Sequence, residues 1–174
     1  MLDSGLEPAP GRWTELSAAG CINEIGELPA GPGSYALALY LPAAQALAVG
    51  RLGQLEFRTG IWVYVGSARG PGGLRARVGR HWRGPARCRW HIDYLRRAAA
   101  PLGAAVRQSD AALECRWAAL LADAPHWTSG PQGFGASDCR CPTHLFEWAA
   151  TGGPTVADGL AGVLSYDLWL GTPG

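Results

Sequence analysis

From Ser34 to Leu41 the chain reads Ser-Tyr-Ala-Leu-Ala-Leu-Tyr-Leu, an apolar run of strand length closed by Pro42. Ala46 to Gly50 and Gln54 to Arg58 predict two short strands joined as a hairpin by Arg51-Leu52-Gly53. Gly60 then opens Ile-Trp-Val-Tyr-Val-Gly, which is β-branched and aromatic and predicts the strongest strand of the chain. Beyond the turn Gly70-Pro71-Gly72-Gly73 the period changes. Leu74, Val78 and Trp82 recur every four residues and predict a helix over about 74–82 with one buried stripe. A second helix, about Trp90 to Ala99, turns Ile92 and Leu95 inward and stops before Pro101. Gly103 to Gln108 predicts a short strand. Ser109 is placed to cap a helix from Asp110 to Ala122, with Leu113, Trp117, Leu120 and Leu121 as its stripe. After a turn-rich stretch to Arg140, His144 to Trp148 predicts a last strand.

This order predicts an α+β domain: a small antiparallel sheet, about three core strands plus an inserted hairpin, flanked by helices. The domain spans 33–148. Residues 1–32 are rich in Gly, Pro and Ala, end in a breaker cluster and read as an extension, with a short ordered piece around Trp13 to Ile25. Residues 149–174 read as a tail in which Leu164 to Leu170 can dock as a strand.

Composition narrows the picture. A chain of 174 residues, 48% hydrophobic, forms one ordinary core and hardly two. No apolar run reaches the ~18 residues of a membrane span. The acidic, proline-broken N-terminus does not read as a secretory signal. Five cysteines, an odd number, point to reduced thiols and a cytoplasmic location. The net charge of +1 hides an asymmetry. Every basic side chain except histidine is arginine, and nine arginines fall between Arg69 and Arg97, where the only acid is Asp93. Such a cluster is the footprint of a polyanion, nucleic acid first; its bland alternative is a solvated helix face in an arginine-biased chain.

Chemistry-bearing residues follow in order. Gly33-Ser34-Tyr35 opens the first strand, Tyr64-Val65-Gly66 ends a later one, Arg77 and His81 are one helical turn apart, and His91 and Glu114 lie beyond. Arg77 and His81 flank the Leu74–Val78 stripe and lean toward the sheet. Arg75, Arg80 and Arg83 point outward, as contacts along a nucleic-acid backbone would. The ordered set, with the segments GLRARVGRH, WHIDYL and FGASDCRCPTHLF, resembles the GIY-YIG nuclease superfamily, most closely its small Uri-type endonuclease branch, over roughly residues 33–148. Three departures stand out: the first motif reads GSY, the tyrosines are 29 positions apart, and no asparagine follows Asn23. Ser137, Asp138 or His144 could stand in for the late asparagine.

The resemblance implies a metal-dependent endonuclease acting on DNA in preference to RNA, in repair or in processing of structured DNA. A partner protein would supply specificity, since nothing indicates base readout. Arg77 would stabilise charge on the scissile phosphate. Glu114 would hold Mg²⁺ (or Mn²⁺), which as a Lewis acid neutralises the leaving oxygen. Tyr35 would be the base or water-orienting group and Tyr64 its partner, with His81 a competing base or relay. Gly66, Arg69, Arg75, Arg80, Arg83 and His91 are the expected substrate contacts, His91 being equally readable as a helix cap. The alternative is a nucleic-acid-binding module using the arginine face alone. Finally, Cys139, Cys141 and His144 place two thiols and an imidazole within six residues. A structural Zn²⁺ completed by Cys88 or His91 competes there with a tight turn packed by small apolar thiols, the reading preferred from sequence.

Overall fold

A computed structural model describes residues 20–149 and 154–171. The expected ordered piece near Trp13 lies outside them up to residue 19. Among the described residues the strands are β1 (Gly20–Ile22), β2 (Gly33–Leu41), β3 (Gln45–Ala48), β4 (Gln54–Phe57), β5 (Gly60–Ala68), β6 (Ala100–Gln108), β7 (Trp127–Ser129), β8 (Leu145–Trp148) and β9 (Leu168–Leu170). The helices are α1 (Gly73–Arg83), α2 (His91–Ala98), α3 (Glu114–Asp123) and α4 (Val156–Ala161). Seven strands form one sheet in the order β1-β9-β6-β2-β5-β8-β7, and the hairpin β3-β4 stands apart as a second. The class is α+β, and the sheet is wider than the three core strands and hairpin expected.

Three nine-residue strands make the sheet's centre. β2 pairs antiparallel with β5 and with β6. Pleating sends successive side chains to opposite faces. Tyr35, Leu37, Leu39 and Leu41 therefore join the core beneath α1, α2 and the hairpin, while Ala36 and Ala38 join the core beneath α3 and α4. A strand covered on both faces has no polar side, which explains the unbroken apolar run of β2. The outer segments belong to this sheet too. β1 pairs in parallel with β9, and β9 pairs antiparallel with β6.

Small residues open the second face to large ones. A Cβ added at Gly103 would fall inside the ring of Trp169, so glycine is required where β6 meets that indole.

The third helix starts later than predicted. The hydroxyl of Ser109 accepts a hydrogen bond from the Ala111 N–H, 3.0 Å, and so closes a local turn instead of capping a helix. Helix α3 begins at Glu114, where buried Ser34 accepts the Leu113 N–H at 3.1 Å. The four-residue delay leaves Leu113, Trp117 and Leu121 against the sheet but turns Leu120 outward, 41% exposed. Strand β7 and helix α4 have no counterpart in the predicted elements.

Gly103→Ala should destabilise the fold by about 1–3 kcal/mol through overpacking. Denaturant unfolding would show a lower midpoint at an unchanged slope; an unchanged midpoint would contradict the contact.

Candidate functional site

The site begins with the register of β2 and β5. Tyr35 faces Gly66 across the ladder and Tyr64 faces Leu37, so the two tyrosines are diagonal neighbours on one face. The 29-position separation does not disturb this pairing, because β3 and β4 form a sheet of their own. The rings lie 6.3 Å apart, centroid to centroid. Gly66 makes room for Tyr35. A Cβ there would sit 2.6 Å from the phenolic oxygen and 2.7 Å from the carbon that bears it.

Helix α1 lies over this face. His81, 1% exposed, brings Nε2 to 3.0 Å from Tyr35 Oη. Its Nδ1 has no hydrogen-bond partner and lies 3.7 Å from Asp93 Oδ1, beyond hydrogen-bond distance. A carboxylate on that side favours the proton on Nδ1, which leaves Nε2 to accept the Tyr35 hydroxyl. Asp93 is itself buried and well satisfied. It accepts both arms of the Arg80 guanidinium, at 2.7 and 2.9 Å, and the backbone N–H groups of Arg89 and Trp90, at 2.7 and 3.0 Å. These bonds fix the start of α2 against α1, and from that junction Trp90 reaches back over the first helix. The Arg77 guanidinium sits 4.1 Å from the centre of the Trp90 ring and that of Arg80 4.5 Å. Cation–π contact thus holds Arg77 in place. Among the described residues its donors have no hydrogen-bonding partner in the protein.

Burial governs the titrations. It pushes the Tyr35 phenol well above 10, with further elevation from Tyr64, and it does the same to Tyr64 against the opposing pull of Arg77. Burial likewise lowers His81 to about 4 despite Asp93. Asp93 is held below the usual carboxylate range; its burial acts the other way, and its hydrogen bonds from Arg80, Arg89 and Trp90 prevail. At neutral pH the centre therefore contains two neutral phenols, a neutral imidazole and a buried carboxylate.

A cavity of about 520 Å³ opens on this centre. Tyr35, Tyr64, Gly66, Arg77, His81, His91 and Glu114 all line it, so every predicted catalytic residue reaches one space. Glu114 arrives from the opposite layer as the first residue of α3, with Ser34 Oγ 3.5 Å from Oε2. The serine that departs from the expected GIY lettering is thus a buried anchor for the carboxylate helix. His91 accepts the Gly135 N–H on Nδ1 at 3.0 Å and ties α2 to the loop before β8.

The outward arginines behave differently. Arg69 donates to the Asp110 carbonyl, Arg75 to the Leu28 carbonyl at 2.7 Å, and Arg80 to Asp93; none of these, nor Arg83, lines the cavity. Arg96 spends three donors on the His81, Trp82 and Ala99 carbonyls, capping the end of α1. Arg80 and Arg96, both half-buried, therefore tie the helices together, while Arg69, Arg75, Arg83, Arg87, Arg89 and Arg97 stay exposed. Arg89 and Trp90, not singled out in the sequence, do line the cavity. So does Asp138, on the loop before β8. Asp93 was missed as well, although its isolation among nine arginines was the available signal.

Beside Glu114 a second group forms. Cys115, Cys139, Cys141 and His144 bring their ligand atoms within 4.8 Å of one another and could bind a metal such as zinc. The fourth member is Cys115, not Cys88 or His91 as the sequence suggested. The signal, a cysteine next to the candidate metal carboxylate, was present but lies 24 positions from Cys139. Among the described residues no helix is long and apolar enough to cross a membrane.

Residues 34–158 match the family model described as Domain of unknown function DUF123, and the chain belongs to that family. This overturns the GIY-YIG, Uri-type assignment, because the matching family is a distinct one. The resemblance rested on a few polar positions across two strands and two helices. GSY, the long separation and the missing asparagine were its discordant points. No curated protein and no solved structure matches the chain. The family carries no activity in its name, so function has to be argued from the cavity.

The neutral imidazole makes a pH prediction. His81 is held at about 4 when folded and titrates near 6.5 when exposed. Between these values the unfolded chain binds the extra proton. Its contribution to stability is therefore complete above pH 6.5 and is lost as pH falls toward about 4, by about 3 kcal/mol in all. Unfolding of the wild type and of His81→Gln across this range should give a shallower pH slope for the variant; equal slopes would show that His81 is not buried neutral.

Proposed function

We propose that this cavity hydrolyses phosphodiester bonds, with nucleic acid as substrate and DNA before RNA. The observation that carries the reading is the 3.0 Å contact between Tyr35 Oη and His81 Nε2, opening on the same space as Arg77 and Glu114. Phosphodiester hydrolysis needs a group that orients and deprotonates water, a cation aimed at the phosphoryl oxygens, and neutralisation of the leaving oxygen. The residues supply each in turn.

Burial raises both phenols, which disfavours a free phenolate as the resting base. The hydrogen bond offers another route. Tyr35 donates its proton to His81, which leaves its oxygen lone pairs free to accept one from an attacking water. As the water oxygen bonds to phosphorus and the bond from phosphorus to the leaving oxygen breaks, the water proton passes to Tyr35 and the phenolic proton to His81 Nε2, while the leaving oxygen takes its proton from solvent. The phenol stays neutral, and the imidazolium forms 3.7 Å from the Asp93 carboxylate. Arg77, held by Trp90 with its donors unspent, meets the charge that builds on the phosphoryl oxygens. Tyr64 packs beside Tyr35 and completes the apolar floor.

Glu114, with Asp138 on the same cavity, offers hard oxygen ligands suited to Mg²⁺ or Mn²⁺. Such an ion, when bound, supplies Lewis-acid neutralisation of the leaving oxygen. The neighbouring thiols are soft and suit zinc, so the two metals would occupy separate places. All five cysteines are free thiols, which suits a reducing compartment such as the cytoplasm.

A binding module without chemistry, using exposed Arg69, Arg75, Arg83 and Arg97, is the weaker alternative, because it leaves the buried Tyr35–His81 pair and the Arg77 and Glu114 cavity without a use. Incubation with single-stranded, nicked, branched and supercoiled DNA in Mg²⁺ or Mn²⁺ should yield metal-dependent cleavage. Tyr35→Phe should lower the rate about 10²–10⁴-fold, and Arg77→Ala and Glu114→Gln at least about 10²-fold. DNA binding by Glu114→Gln should persist and weaken with salt. Retention of DNA without cutting under every condition, or cutting indifferent to these substitutions, would overturn the proposal.

A further inference from the structure

We infer that Cys115, Cys139, Cys141 and His144 form a structural zinc site that holds the loop before β8 against the start of α3 and so fixes one wall of the cavity. Four ligands, three sulfur and one nitrogen, are the full complement of a closed tetrahedral zinc site. With metal–sulfur bonds of about 2.3 Å, the ligand atoms of a tetrahedron stand about 3.5–3.8 Å apart. His144 Nε2 lies 3.5 Å from Cys139 Sγ and 3.9 Å from Cys115 Sγ, and the whole set falls within 4.8 Å. These separations are close to those of coordination, and none of the three cysteines is in a disulfide.

The ligands come from two parts of the chain that little else joins. Cys115 is the second residue of α3, while the other three lie within residues 139–144. The base of the loop is well tied: Gly133 N donates to the Pro142 carbonyl at 2.7 Å, His144 N to the Phe134 carbonyl at 2.8 Å, and Phe134 is fully buried. Its apex is not. Among the described residues no backbone hydrogen bond links residues 137–141 to another element, and their side-chain tie runs through the thiol group. Without a cation, the thiols and imidazole hold one another only by weak sulfur hydrogen bonds. A divalent ion turns the same cluster into a cross-link.

Position gives the cross-link its consequence. Cys115 follows Glu114 directly, and Cys139 follows Ser137 and Asp138; all of these line the cavity. Zinc here would fix the spacing between the α3 carboxylate and the Asp138 wall without taking part in the reaction. A closed four-ligand shell leaves no open position for water or substrate.

The inference is independent of the proposed reaction and is tested without substrate. Protein purified from zinc-containing medium without chelators should contain one zinc per chain by elemental analysis. Its melting temperature should fall on chelation and recover with one equivalent of Zn²⁺. Co²⁺ reconstitution should give the thiolate charge-transfer and intense visible absorption of a tetrahedral sulfur-rich site, and Cys139→Ser and Cys115→Ser should each weaken the charge-transfer band. His144→Cys tests a variant that keeps four ligands and should retain the metal if the serine variants do not fold. Stoichiometric zinc unaffected by all three substitutions would overturn the inference. So would reduced full-length protein with no zinc, no cobalt spectrum and freely reactive thiols, or a native disulfide among the three cysteines.

Discussion

A buried carboxylate organises the working face of this protein. Asp93 accepts four N–H donors, two from Arg80 and two from the backbone at the start of α2. Burying a charge is tolerable only when it is satisfied in this way. The satisfaction has structural consequences, because it fixes the angle between α1 and α2. Trp90 is thereby set over Arg77, His81 is set against Tyr35, and Arg96 closes the carbonyl end of α1 from the other side. Removing the carboxylate would leave Arg80 without its counter-charge and the Arg89 and Trp90 N–H groups, just ahead of α2, without their acceptor. The geometry of the cavity and the helix junction therefore depend on the same group.

Close packing beneath that junction determines which chemistry is available. Gly66 lets the Tyr35 hydroxyl lie against β5, and the surrounding apolar layer excludes the water that would ionise either phenol. Low polarity keeps the phenols and the imidazole neutral, so in the proposed reaction a proton would move along the Tyr35–His81 hydrogen bond. The opposite layer contributes differently. Ala36, Ala38 and Gly103 leave space for Trp117 and Trp169, and the helix anchored there carries Glu114 to the rim. One sheet thus delivers the phenols to one side and supports the carboxylate from the other.

Local pattern made much of this legible before any coordinates. The apolar run of residues 34–41 and the β-branched and aromatic run of residues 60–66 placed both tyrosines on strands, and the four-residue spacing placed Arg77 and His81 on one helical flank. What could not be read was nonlocal. β1 and β9 are three-residue strands whose pairing partners lie far along the chain, so neither has a strong pattern of its own. The start of α3 depends on Ser34, about 80 positions away, which is why Ser109 looked like its cap. Helical position read Arg75, Arg80 and Arg83 as outward; Arg75 and Arg83 are exposed, but Arg80 is half-buried and spends its donors on Asp93. The candidate metal-binding group was half visible: the thiols and imidazole of residues 139–144 are close in sequence, but the fold alone brings Cys115 to them. The family assignment failed for a related reason. A sparse set of polar letters reports what a site needs, and different families can meet that need.

The central claim is that His81 is a neutral acceptor for Tyr35, poised between a phenol and a carboxylate. Nitrogen-15 NMR of the imidazole of His81 at neutral pH tests this directly. The account predicts a neutral ring with the proton on Nδ1 and a hydrogen-bonded, unprotonated Nε2, whose resonance shifts in Tyr35→Phe. A ring that is doubly protonated at pH 7, or one that carries its proton on Nε2, would contradict it.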